Sequence, residues 1–171
     1  MEFKELVSAR YSLRKISSRA VEPEKLELLL RAVQASPTAH NAQPQHIYVL
    51  KSAQALEKAH RCTPFNFGEP VILVVAYDPA QAWVRTQYDN KNHGEIDAAI
   101  AAAHIMLQAA DLGLGTTYVG IFDPAALLRE FPEMAGKTPI ALLPLGYPAE
   151  GAHPSHKHTD RKPLEEFYTE L

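Results

Sequence analysis

Apolar positions along this chain change spacing several times, and each change predicts an element. Residues 1–9 predict a short helix. From Pro23, which suits a first helical position, Leu26, Leu29, Leu30 and Val33 recur at helical spacing to about residue 35. Residues 46–51 (His-Ile-Tyr-Val-Leu-Lys) predict a strand, and Ser52 caps a helix running through His60. Residues 71–77 (Val-Ile-Leu-Val-Val-Ala-Tyr) give the strongest strand signal: the apolar run does not alternate, so both faces should be covered. Residues 95–112 predict the longest helix, stopped by Gly113. Its alanines 98, 99, 101, 102 and 103 leave it small or apolar on nearly every side, which suits a central helix approached closely by another. A strand over 115–122, a helix over 124–131, a buried strand over 140–147 and a short terminal helix over 163–168 complete the pattern. Residues 81–94, with Trp83, Arg85, Tyr88 and His93, show no clear period and predict a flexible arm or lid. The mixed order predicts an α+β fold of three layers, helices around a sheet.

Composition narrows the class. With 171 residues and neither an internal repeat nor a low-complexity linker, a single domain over 1–171 is expected. The net charge of -3 gives no electrostatic case for a nucleic-acid partner, which needs a basic face. The lone cysteine, Cys62, excludes an intramolecular disulfide or a cysteine zinc cluster and fits a reducing cytoplasm. The first five residues lack the apolar core of a signal peptide, and the low-charge run 98–110 falls short of the ~20 residues that cross a bilayer. A cytoplasmic protein with no membrane partner is expected.

Two segments carry the chemistry. Arg10-Tyr11-Ser12-Leu13-Arg14 offers two guanidiniums and a hydroxyl within five residues, which suits a phosphate, although two solvated arginines at a helix end would read the same way. Arg161-Lys162 offers a distant third cation. Residues 36–45 (Ser-Pro-Thr-Ala-His-Asn-Ala-Gln-Pro-Gln) are polar without charge: they could hydrogen-bond the edge of a flat ring, or simply connect a helix to a strand. Together the two segments suggest a phosphorylated aromatic cofactor, with FMN the leading candidate. The glycine-rich run 113–120 follows a helix rather than preceding one, which argues against a dinucleotide fingerprint or P-loop. It suits backbone approaching a ligand face, with Gly120 allowing contact. His153, His156 and His158 read as a solvated tail rather than a metal site, so no metal is expected. Cys62 has no identifiable catalytic partner, and His104, among alanines, reads as a packed or interface histidine. Trp83 and Tyr88 could cover a bound ring or serve ordinary packing.

In order along the chain stand Arg10-x-Ser12-x-Arg14, Ser36-Pro37-Thr38-x-x-Asn41-x-Gln43-Pro44, Asp111-Leu112-Gly113-Leu114-Gly115-Thr116 with Gly120, Leu145-Gly146-Tyr147-Pro148-x-Glu150, and Arg161-Lys162-Pro163-Leu164-Glu165-Glu166. In these five motifs, spread over residues 10–166, the chain resembles the nitroreductase-like FMN-dependent oxidoreductases. The resemblance implies a mostly antiparallel central sheet surrounded by helices and an obligate homodimer with FMN at the subunit interface. It implies that Arg10, Ser12 and Arg161 hold the phosphate, that Arg14 reaches the pyrimidine edge, and that Pro37, Thr38, Ala39 and Asn41, with Gln43 in the same loop, come from the other subunit. Backbone at Val119 and Gly120 would face the reactive flavin nitrogen, Asn66 would be a polar contact to the ring, and Trp83, Tyr88 and Tyr118 would line the acceptor side. The chain departs from many relatives at Gln45, where an aromatic is common, and in its short 83–94 arm; both lie where an acceptor would bind.

The chemistry implied is the flavin's. NADH or NADPH would deliver a hydride to N5, and a small organic acceptor of the nitroaromatic, quinone or enone type would collect two electrons in a ping-pong cycle. No side chain need be a general acid. The competing class is a flavin-binding sensor or storage protein without turnover, and further off stands a structural α+β dimer with no cofactor.

Overall fold

A computed structural model describes residues 2–171. Its sheet has the order β1-β2-β6-β5, from β1 (Gln45–Leu50), β2 (Val71–Tyr77), β5 (Gly115–Thr116) and β6 (Thr138–Gly146), and every neighbouring pair is antiparallel. The uninterrupted apolar run of β2 has its expected cause. Val71, Leu73 and Val75 join one core with helices α2 (Pro23–Gln34) and α4 (Gly94–Asp111). Ile72 and Val74 join a second core on the other face, beside Ala59 of α3 (Ala53–His60) and Leu127 of α5 (Pro124–Glu130). Helices therefore cover both faces, giving the three layers expected. Each fully buried strand side chain, such as Leu73 or Leu143, contributes about 1.5–3 kcal/mol of apolar burial.

Local sequence explains the helix ends. Pro23 opens α2, Ser52 Oγ accepts the Ala55 amide at the start of α3, and Asp123 Oδ1 accepts the Ala126 amide at the start of α5. Glu95 and Asp97 place negative charge in the first turn of α4. One face of α4 (Ala98, Ala101, Ala102, Ile105 and Ala109) is buried in the first core. The opposite stripe through Ile96, Ala99, Ile100, Ala103 and Leu107 stays at least partly accessible, although it carries no charged group.

Two expectations are corrected. The strand expected over 115–122 pairs with β6 only at Gly115 and Thr116, then touches it again at one bridge, Val119 to Leu142. On its other side Thr116 bridges Ser12, so the segment after Arg10 takes the outer edge. The expected helix over 163–168 is a single 3-10 turn, Leu164–Glu166, because the tail after residue 158 is exposed and meets nothing within one chain that would bury an apolar face. Residues 81–94, which show no period in sequence, hold a hairpin of β3 (Val84–Arg85) and β4 (Lys91–Asn92), closed by an Arg85–Asp89 ion pair that holds the Asp89 carboxyl well below its usual range. The first helix, α1, spans Phe3–Ala9; Met1 lies outside the described residues.

Candidate functional site

The Arg10–Arg14 segment runs as an extended edge along the sheet. Leu13 N–H donates to Thr116 O (2.9 Å), Ile16 N–H to Phe67 O (2.9 Å) and Ser17 N–H to Tyr147 O (2.8 Å). Leu13 and Ile16 are buried while Arg14 and Lys15 are exposed. Glycine permits this contact: a Cβ on Gly115 would lie 2.5 Å from the Leu13 side chain, and one on Gly146 2.5 Å from that of Ile16. Seating Leu13 fixes where its neighbours Ser12 and Arg14 can reach.

What they reach is a cavity of about 200 Å³, lined by Arg10, Tyr11, Ser12, Arg14, Ser155, Lys157, His158 and Arg161. The tail enters it in a tight turn, with Arg161 Nη1 donating to Asp160 O (2.7 Å) and Lys157 O (3.3 Å), and His158 Nε2 bonded to Ser8 O (3.1 Å). Three guanidiniums and an ammonium thus face one space that no carboxylate lines, and Arg10, Arg14 and Arg161 form no carboxylate pair among the described residues. Such a donor set fits a phosphate dianion, which wants several charge-assisted donors at once.

Residues 37–45 lie elsewhere. His40, Asn41 and Gln43 all have positive φ (53°, 54° and 50°), a conformation that costs a non-glycine residue about 1–2 kcal/mol. The Ala39 amide donates to Asp97 Oδ1 (3.0 Å), the Gln43 amide to Thr38 Oγ1 (3.1 Å), and Gln43 Nε2 to Asn41 O (3.2 Å). The His40 ring stacks on Trp83 at 4.9 Å, and the His93 ring meets the indole at 4.7 Å in a T-shaped pair. These hydrogen bonds and ring contacts hold three residues of the loop in the left-handed region. Asp97 is in the first turn of α4, whereas Arg10 shares a small cavity with Ala110 near the last turn. Those helix positions are about 20 Å apart at 1.5 Å per residue. One chain therefore brings Arg10, Ser12, Arg14 and Arg161 together and keeps Thr38, Ala39, Asn41 and Gln43 away from them.

A third group forms a rim between. Thr63 Oγ1 donates to Ile121 O (2.7 Å) and Phe67 O accepts from Ile16, so residues 63–68 bridge the arginine segment and the 118–121 segment. Asn66 sits on this bridge. The Val119 amide is committed to Leu142 O (2.9 Å), which narrows the expected pair of backbone donors to Gly120, exposed, where a Cβ would meet only Tyr118 Cε1 at 3.9 Å. Tyr118 is partly exposed beside it, its phenol pushed to higher pKa by burial and by the Glu95 charge. Tyr88 projects from the hairpin, 85% exposed. His104 Nδ1 bonds Ile100 O within α4, and burial pushes the Cys62 thiol up in pKa, away from thiolate chemistry.

Sequence reasoning missed Ser155, Lys157 and His158 in the cavity. Their signal was the basic run 156–162, whose meaning depends on contact with residues about 150 positions earlier.

The model of the nitroreductase family matches residues 7–62 and 57–147. The chain belongs to that family. A nitroreductase family protein of Clostridium difficile 630 has the same fold with a TM-score of 0.91; it is 34% identical, covering 99% of this chain and 98% of that one. A protein of Methanothermobacter thermautotrophicus with the provisional name NADH dehydrogenase/NAD(P)H nitroreductase is 29% identical over 162 residues, covering 88% of this chain and 79% of its own. A nitroreductase fold from Desulfovibrio desulfuricans, solved with FMN, superposes with a TM-score of 0.83 at 23% identity, over 100% of this chain and 97% of that one. Among the described residues no helix is long and apolar enough to cross a membrane, and no three metal-ligating side chains gather.

Proposed function

We propose that this protein is an FMN-dependent oxidoreductase that draws electrons from NADH or NADPH and passes them to a small organic acceptor of the nitroaromatic, quinone or enone type. The observation that carries the reading is the cavity in which Arg10 and Arg14 meet Lys157 and Arg161 with no carboxylate among them. In this reading Arg10, Ser12, Lys157 and Arg161 hold the phosphate, and Arg14 turns toward the pyrimidine edge, where its charge favours an electron-rich ring. The Gly120 amide is the backbone donor to the reactive part of the ring, with Asn66 on the adjoining rim. FMN supplies the two-electron chemistry when bound.

The second half of the site comes from a second copy. The loop carrying Pro37, Thr38, Ala39, Asn41 and Gln43 is strained and tethered at the wrong end of α4 to close over its own cradle. The charge-free stripe of α4 and the exposed tail residues Leu164, Phe167 and Tyr168 supply apolar surface for a homodimer. Trp83, stacked on His40, steadies the donated loop, and Tyr88 and Tyr118 are available to the acceptor.

An anaerobic absorbance spectrum of the protein with FMN, before and after NADH or NADPH, tests the reading. Bleaching of a bound-flavin band is expected. Bound flavin that stays oxidised with both donors would point to a binding protein without turnover, and no bound flavin would remove the cofactor.

A further inference from the structure

The buried Glu69 is used by no step above. It is 5% exposed, with Oε2 accepting the Phe67 amide (2.8 Å) and Oε1 2.9 Å from Nε2 of His60. The other ring nitrogen, Nδ1, lies 3.4 Å from Nδ2 of Asn66, whose Oδ1 accepts the Gly68 amide at 3.0 Å. These contacts limit where each proton can sit. The Gly68 N–H can only donate, so the Asn66 carbonyl faces it and the amide nitrogen faces His60. A carboxylate can only accept, so in a neutral imidazole the single His60 proton belongs on Nε2. The lone pair on Nδ1 then receives one Asn66 N–H, leaving the amide a single uncommitted N–H.

From this arrangement we infer that Glu69 and His60 are positioning residues that hold the Asn66 amide as a hydrogen-bond donor toward the flavin. The inference deepens the proposed function and rests on Asn66 facing the bound ring. Its place supports that: the next residue, Phe67, is hydrogen-bonded to Ile16, two residues beyond Arg14. Without the pair, the Gly68 amide alone would hold the exposed Asn66 side chain; with it, both the carbonyl and the NH2 are tied before any ligand arrives. Preorganised donors avoid the cost of ordering on binding. Reversing the proton order would defeat the arrangement. Glu69→Gln keeps the shape, but its carbonyl must stay on the Phe67 amide, so its NH2 turns to His60. The imidazole proton then moves to Nδ1 and meets the Asn66 amide donor to donor.

The wild-type protein without flavin, labelled with nitrogen-15, should show His60 as the Nε2–H tautomer; an Nδ1–H tautomer overturns the proposal whether or not any variant folds. By quenching of FMN fluorescence, Asn66→Ala should weaken binding about 5-fold, the scale of one hydrogen bond. Glu69→Gln should weaken it comparably and add nothing when combined with Asn66→Ala. Losses that add, or a Glu69→Gln protein with wild-type affinity beside a weakened Asn66→Ala, overturn the positioning role. Wild-type affinity in Asn66→Ala also overturns it, by removing the contact on which it rests. Among these measurements, only a wild-type chain that does not bind FMN fails the proposed function itself.

Discussion

The Leu13 side chain occupies the space in which a Cβ on Gly115 would stand, 2.5 Å from that position. The relationship holds the arginine-bearing edge against the sheet, because Leu13 is 1% exposed and has nowhere to retreat. Gly115→Ala should therefore lower stability by about 1–3 kcal/mol, the usual cost of overpacking. It should also weaken FMN binding, since Ser12 and Arg14 move with Leu13. Calorimetry with and without FMN checks both; unchanged flavin affinity would separate the glycine from the cradle.

The cradle cations should matter for the anion and little for the fold. Arg10→Ala combined with Arg161→Ala should weaken FMN binding by at least about 100-fold, at roughly 1.5–3 kcal/mol for each hydrogen bond to a charged group. The flavin-free thermal midpoint should stay near wild type, since neither side chain is in an ion pair among the described residues. Equilibrium dialysis against FMN gives the decisive number.

The Ala39–Asp97 hydrogen bond should stabilise the strained loop. Asp97→Ala leaves the Ala39 amide without its acceptor and should cost about 1–3 kcal/mol. Asp97→Asn keeps an acceptor in place and should cost less. Amide exchange at residues 39–43 reads the loop directly, and equal protection in all three proteins would argue against the tether.

Acid should expose a second anchor of the arginine segment. The Tyr147 hydroxyl, hydrogen-bonded to Glu22 and assisted by Arg19, lowers the Glu22 pKa from 4.5 to about 2. A carboxyl lowered on folding adds stability above its unfolded pKa, and that stability fades as pH falls through its folded one. The Glu22 contribution should therefore be complete above about 4.5 and gone near 2. Tyr147→Phe should lower the thermal midpoint at neutral pH, and the two curves should converge on acidification; curves parallel down to pH 2 would refute the assignment.

The α4 stripe should be an interface. Ala99 is exposed in a single chain, so Ala99→Glu should leave the monomer folded while blocking close approach of a second helix. Sedimentation should show a monomer that has lost its flavin. A dimer with full flavin content would rule out this face.

Much of the fold was legible because its signals are local or periodic. Val71 through Ala76 is apolar on both faces because helices cover both faces, and Leu26, Leu29 and Val33 repeat at 3.6 residues because one stripe of α2 is buried. The hairpin of Val84–Arg85 and Lys91–Asn92 was not legible, since two-residue strands are too short to show a period and an ion pair closes them. In the site, Arg10, Ser12, Arg14 and Arg161 could be named from spacing and family resemblance, while Lys157 and His158 could not, because their neighbours lie at the other end of the chain. Nor did His40 and Gln43 signal a left-handed backbone that contacts with Trp83 and Thr38 support. The Glu69–His60 pair depends on a carboxylate whose burial no single-sequence pattern announces.

Lys157 and Arg161 stand within fifteen residues of the last residue described, Arg10 and Arg14 within fifteen of the first, and one small cavity joins them. A phosphate bound there would act as a clasp, tying the Arg10–Arg14 segment to residues 157–161 across a ring of roughly 150 residues without a covalent link. Undoing it would free an exposed segment that carries Leu164, Phe167 and Tyr168. Cofactor supply would then govern how long the protein survives proteolysis as well as how fast it works.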